Sequence, residues 1–177
     1  MEGAIKRAAV VTVSDRSSRG EREDESGPAL RAALEEMGIE VVASRLVPDE
    51  RDEITAALLE LADREGVDLV VTTGGTGPAP RDVTPEATRA VIEREMPGLA
   101  ELMRLEGLKH TPFAVLSRAI VGIRGQTLIV NVPGSPRAVM ESLEALRPVL
   151  PATLALIRGE DSPCGVCDPP SSPSNAP

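Results

Sequence analysis

The sequence predicts an α/β domain built on a mostly parallel, mixed sheet, and three observations predict it. Short β-branched runs alternate with segments of helical period. Most of these runs end in a loop of small or acidic residues that leads into a helix start. One pair of runs is separated by only three residues, as in an antiparallel hairpin. At 177 residues with 41% hydrophobic side chains, the chain can bury one core of ordinary size without disulfides or metals.

The first strand is expected over Ala8 to Val13, followed by a polar loop. A helix from about Pro28 to Met37 then turns Leu30, Ala33, Leu34 and Met37 to one side. Val41 to Val47 forms the second strand, and Ile54, Ala57, Leu58, Leu61 and Ala62 give the apolar stripe of a helix packed on a sheet. Val67 to Thr72 is the third strand, rich enough in apolar residues to be buried on both faces. Thr84 is expected to cap the next helix, with Pro85 in its first turn and Glu86 at the positive end of its dipole. Pro97 and Gly98 interrupt that helical region, and Leu99, Leu102 and Met103 resume it. Ile120 to Ile123 and Thr127 to Val132 flank Arg124-Gly125-Gln126 as a hairpin. Ser135 and Pro136 begin a helix through Leu146, and Pro148 and Pro151 restart it toward Ile157.

From Gly159 the composition shifts to Pro, Ser, Gly and Asp. The folded domain is therefore placed within residues 1–158, with 159–177 expected to be a disordered tail. Cys164 and Cys167, the only cysteines, fall in that tail as a lone C-x-x-C with no second ligand pair.

A net charge of −9 and a single aromatic residue, Phe113, argue against general nucleic-acid binding, which needs a basic surface or a stacking platform. No apolar run is long enough to cross a bilayer, and the first residues lack the basic-then-apolar pattern of a secretory leader, so a cytoplasmic protein without membrane association is expected. His110 is the only histidine, which removes Ser-His triads and His-rich zinc sites; it reads as a surface residue at a helix end.

The stretch TTGGTGPAPRD, residues 72–82, concentrates the chemistry. It matches neither G-x-x-x-x-G-K-[ST] nor G-x-G-x-x-G. The physics behind those loops still applies, because glycines after a buried strand let backbone N–H groups face an anion, and a following helix adds positive potential. The alternative is that Gly74 to Gly77 form a tight turn and nothing more. Val47-Pro48-Asp49-Glu50 closes the second strand, so parallel strands would bring Asp49 and Asp82 to one sheet edge, where open α/β sheets bind ligands. Two carboxylates beside bound phosphate could seat Mg²⁺, while Asp49 alone could instead cap the helix before Glu53 and Ile54. Ser14-Asp15 lies on the same edge, and the acidic loop from Glu23 either adds to the site or is solvated with Ser26 as a helix cap. Pro133-Gly134-Ser135-Pro136 is likewise either a plain cap or a further anion site.

Together TVSDR (12–16), EDESGPAL (23–30), LVPDE (46–50), TTGGTGPAPRDVTPEAT (72–88), REMPG (94–98), LSR (116–118) and NVPGSP (131–136) closely resemble the MogA/MoaB family of molybdenum cofactor biosynthesis proteins. The resemblance implies a three-layer α/β/α sandwich, assembled as a homotrimer or homohexamer, that binds molybdopterin. It implies an adenylyltransferase that uses Mg²⁺ and ATP to place AMP on the terminal phosphate of molybdopterin, releasing pyrophosphate. By this likeness Asp49 and Asp82 are the metal-binding and catalytic acids, and Gly74, Gly75, Thr76 and Gly77 bind nucleotide or pterin phosphates. Ser14, Asp15, Ser117 and Ser135 match further ligand-binding positions. Other readings are a non-catalytic molybdopterin-binding or scaffold protein of the MoaB type, partnered with other cofactor-synthesis proteins, and a hydrolase of nucleotide pyrophosphates, whose members contain a related domain.

Overall fold

The computed structural model describes residues 6–160. The expected tail from residue 161 onward, with Cys164 and Cys167, lies outside the described residues. One six-stranded sheet runs through the molecule in the order β2-β1-β3-β6-β5-β4. Its strands are β1 Arg7–Val13, β2 Glu40–Val47, β3 Leu69–Thr73, β4 Arg94–Glu95, β5 Val121–Arg124 and β6 Thr127–Val132. β2, β1, β3 and β6 are parallel, and β5 and β4 add antiparallel pairs. The helices are α1 Asp15–Ser18, α2 Ser26–Glu36, α3 Arg51–Leu59, α4 Thr84–Arg89, α5 Pro97–Leu108, α6 Pro136–Leu146 and α7 Leu150–Ile157. A π-helical turn, Glu60–Arg64, extends α3, and a 3-10 turn covers Pro112–Leu116.

The pleat divides the core in two, giving the three-layer sandwich. Ala8 and Val10 of β1, Leu69 and Val71 of β3, and Leu128 and Val130 of β6 face α2, α5, α6 and α7 through Leu30, Leu34, Met103, Leu143 and Leu154. Ala9, Val11, Val70 and Ile129 point the other way, onto Ile54 and Leu58 of α3 and Ala87 of α4. Both faces of β1, β3 and β6 are covered, so the central strands lack the polar alternation of a half-exposed sheet. No helix among the described residues is long and apolar enough to cross a membrane.

Several local expectations are corrected. Pro97 does not break a helix but begins one, α5, and the residues before it form β4, an exposed two-residue edge strand. Proline suits a first helical turn because its missing N–H would have no helical partner there. Thr84 does not cap α4; the cap position is Val83, and the Thr84 hydroxyl instead donates to the Gly74 carbonyl at 2.9 Å. Ser26 does not cap α2 either. The Asp24 carboxylate accepts from the Gly27 N–H at 2.9 Å and from the Ser26 hydroxyl. The hairpin loop is two residues, because Arg124 pairs with Thr127, and Gly125 takes a φ of +53° at the first loop position, where type II′ turns favour glycine.

Candidate functional site

The topology creates the site. After β3 the chain crosses to the α3/α4 side of the sheet, whereas after β1 and β6, which flank β3, it crosses to the α2/α6 side. Neighbouring strands whose connections leave in opposite directions open a crevice at their carboxyl ends. β3 therefore has a crevice on each side, and its loop, residues 74–83, forms the ridge between them. Toward β1 lies a polar cavity of about 210 Å³ lined by Ser14, Arg22, Asp24, Asp49, Gly74, Gly75 and Asp82 among others. Toward β6 and α5 lies a larger one of about 490 Å³, whose lining includes Gly75, Thr76, Gly77, Asp82, Met103, Phe113, Ser117 and Ser135. Gly75, Asp82 and Gly134 border both.

Gly75 has a φ of +62°, and a Cβ there would stand 2.4 Å from the Thr84 hydroxyl and 2.9 Å from Asp49 Oδ1. Only glycine combines that left-handed backbone with so close a carboxylate. At the other end of the turn, Asp82 Oδ2 lies 2.8 Å from where a Cβ on Gly77 would be, and it accepts from the Ala79 N–H at 3.0 Å. The two acids thus sit against opposite ends of the glycine turn and share the smaller cavity. The Gly74 N–H donates to the Val132 carbonyl at 3.2 Å, while the N–H groups of Gly75, Thr76 and Gly77 have no acceptor among the described residues. Successive free N–H donors form a concavity suited to an anion.

Asp49 is fixed by a reciprocal contact with Asp15. Its carboxylate accepts from the Asp15 N–H at 2.8 Å, and the Asp15 carboxylate accepts from the Asp49 N–H at 3.0 Å. Arg81 grips Asp15 through two nitrogens at 2.9 and 3.0 Å and reaches Glu50 at 2.8 Å. Partial burial, then the negative charges of Asp15 and Asp82, push the Asp49 carboxyl above its ordinary pKa, against the pull of the Asp15 N–H. The Arg81 hydrogen bonds hold the Asp15 carboxyl below its own. The alternative of Asp49 as a helix cap is not what the fold adopts, since Glu50 occupies that position and no side chain caps α3.

A family model described as a probable molybdopterin binding domain matches residues 9–152. The chain belongs to this molybdopterin-binding family. A molybdopterin adenylyltransferase of Helicobacter pylori J99 is 47% identical over 152 residues, 85% of this chain and 86% of that one. The molybdopterin adenylyltransferase of Haemophilus influenzae KW20 is 48% identical over 81% of this chain and 74% of its own. The crystal structure of the molybdopterin biosynthesis enzyme MoaB from Thermus thermophilus shares 55% identity and superposes with a TM-score of 0.84, covering 89% of this chain and 99% of that one. CinA from Thermoplasma acidophilum, at 21% identity and a TM-score of 0.63, shares the fold alone.

In this member of the molybdopterin-binding family, the residues singled out from sequence are not all equally available. Asp49, Asp82, Gly74, Gly75 and Ser14 line the smaller cavity, although the Ser14 hydroxyl is already the cap of α1. Thr76, Gly77, Ser117 and Ser135 line the larger one, and there Ser135 caps α6 by accepting from the Ala138 N–H at 3.2 Å. Asp15 is not part of either lining, because its carboxylate is committed to Arg81 and to the Asp49 N–H. Arg81 and Arg118 have no role in the reading of the sequence, which takes Asp24 only as part of an acidic loop and Thr84 only as a helix cap. Arg81 carries a signal, as the cation beside Asp82, and Arg118 lies in the LSR stretch, but nothing local shows that its side chain reaches the glycine loop.

Proposed function

We propose that this chain is a molybdopterin adenylyltransferase that moves AMP from ATP to the terminal phosphate of molybdopterin and releases pyrophosphate. The observation that carries the reading is the run of free N–H donors at Gly75, Thr76 and Gly77, set between Asp49 and Asp82 with a cavity on either side. Relatives 47% identical over most of the chain bear the name of that activity.

The reaction needs no protein nucleophile. A phosphate oxygen of molybdopterin attacks the α-phosphorus of ATP, the bond from that phosphorus to the bridging oxygen breaks, and its electron pair leaves with pyrophosphate. What remains for the protein is to hold two anions in line and offset their charge. The glycine-turn N–H groups receive phosphate oxygens, and the Asp15–Arg81 contact keeps Asp49 from turning away. The larger cavity, with Met103, Phe113, Ala114 and Leu116 in its lining, suits a flat heterocycle.

Asp49 and Asp82 fit a divalent cation. Asp49 is a partly buried carboxylate next to two other acids, which raises its proton affinity, and a cation relieves that repulsion. Among the described residues no three acidic, histidine or cysteine side chains close into a metal cage. Mg²⁺ commonly takes one or two carboxylates and completes its shell with phosphate oxygens and water, so it does not require such a cage. When bound, Mg²⁺ would neutralise phosphate charge and stabilise the departing pyrophosphate. Exposed Leu105, Phe113 and Val115 offer apolar surface that a homo-oligomer would cover.

Incubating the protein with molybdopterin, ATP and Mg²⁺ tests the reading. Pyrophosphate and adenylyl-molybdopterin should appear together, in equal amounts. Tight molybdopterin binding with neither product would instead select the non-catalytic, MoaB-type role.

A further inference from the structure

Arg118 touches neither cavity, yet it holds the glycine loop at several points. It follows the 3-10 turn Pro112–Leu116, far in sequence from the loop. Its backbone N–H donates to the Thr76 carbonyl at 2.8 Å, and its Nε donates to the Gly77 carbonyl at 2.8 Å. One Nη donates to the Asp82 carbonyl and the other pairs with the Glu86 carboxylate in α4. The guanidinium therefore brackets the segment Pro78-Ala79-Pro80-Arg81 by the carbonyls on either side of it. Arg118 is in turn seated by Arg104 of α5, whose Nη1 donates to the Ala119 carbonyl at 3.0 Å. Arg104 itself lines the larger cavity.

We infer that Arg118 is a positioning residue for Asp82: its planar fork sets the closure of the loop and so where the Asp82 carboxylate stands. A planar guanidinium can bridge two carbonyls and a carboxylate at once, while an ammonium is a point charge without that geometry. A displacement of about 1 Å at a reacting centre can cost about 100-fold in rate. Because Arg118 is outside both linings, its loss should reach the chemistry without removing a ligand contact.

The kinetic arm rests on the adenylyl-transfer reading above; a second arm does not. In the ligand-free protein, hydrogen exchange is measured at Asp82, whose N–H donates to the Ala79 carbonyl at 2.9 Å, and at Ala79, whose N–H donates to Asp82 Oδ2. Arg118→Met should expose both amides while leaving those of β3 protected. In the assay with molybdopterin, ATP and Mg²⁺, the same variant should lose about 100-fold in kcat with KM unchanged. Arg118→Lys, which keeps the charge beside Glu86, should stay close to Arg118→Met, and it carries the test alone if the Met variant fails to fold. Wild-type exchange at Ala79 and Asp82 in either variant overturns the inference. So does wild-type kcat in either variant, or a loss confined to KM. An inactive wild-type protein would overturn the adenylyl-transfer reading, and the exchange arm would then decide the role of Arg118.

Discussion

Asp49 carries a charge that the folded protein does not favour. Burial and two neighbouring acids raise its pKa, so the native state binds its proton more tightly than the unfolded chain does. Such a group contributes no difference below its unfolded pKa, where both states are protonated. As pH rises through the window from the ordinary carboxylate value to the raised folded one, the native state loses stability, and above that window the full penalty persists. Asp49→Asn removes the ionisation and can still accept from the Asp15 N–H. It should therefore raise the melting temperature at neutral pH, with the gain vanishing in acid below the ordinary carboxylate range, as thermal unfolding at several pH values would show. Asp49 and Asp82 are legible in the sequence because one closes the second strand and the other closes the glycine loop just before a helix start. The sequence did not reveal that Asp15 serves Asp49, since a reciprocal pairing of backbone N–H and carboxylate depends on how β1 and β2 register.

At the scale of the element, the glycine turn is the feature most tightly constrained by its surroundings. Gly75→Ala would place a methyl group 2.4 Å from the Thr84 hydroxyl and 2.9 Å from Asp49 on a left-handed backbone. Such strain costs about 1–3 kcal/mol. The variant should lose that much unfolding free energy in a denaturant titration and lose activity, because relief of the clash displaces Asp49 or α4. The main strands and helices were readable from periodicity, since β1, β3 and β6 are apolar runs buried on both faces. β4 was not, because Arg94 and Glu95 are exposed polar residues whose strand pairing, with Ile123 and Gly122, leaves no pattern in the sequence. Thr84, expected as a cap, and Ser26, offered as one, satisfy the local rule of a hydroxyl at a helix start, but the Gly74 carbonyl and the Asp24 carboxylate take up their hydroxyls instead.

For the whole molecule, the directions of three chain crossings determine where the cavities lie. β3 sends its connection to one face while β1 and β6 send theirs to the other, so two crevices open beside a single loop, which is what the proposed transfer between two substrates requires. The parallel order was foreseeable from alternating strands and helices; the paired crevices needed the sheet order. A cation held at this junction stabilises only the folded state, by about 2.7 kcal/mol when its free concentration is a hundredfold above Kd. Mg²⁺ should accordingly raise the melting temperature of the wild-type protein and leave the Asp49→Asn/Asp82→Asn double variant unmoved. The most direct test of the site as a whole is to compare Asp82→Asn with the wild type for both turnover and molybdopterin binding. Adenylyl-molybdopterin formation should be abolished while binding is largely kept; an Asp82→Asn protein that turns over at the wild-type rate would contradict the catalytic role assigned to this carboxylate.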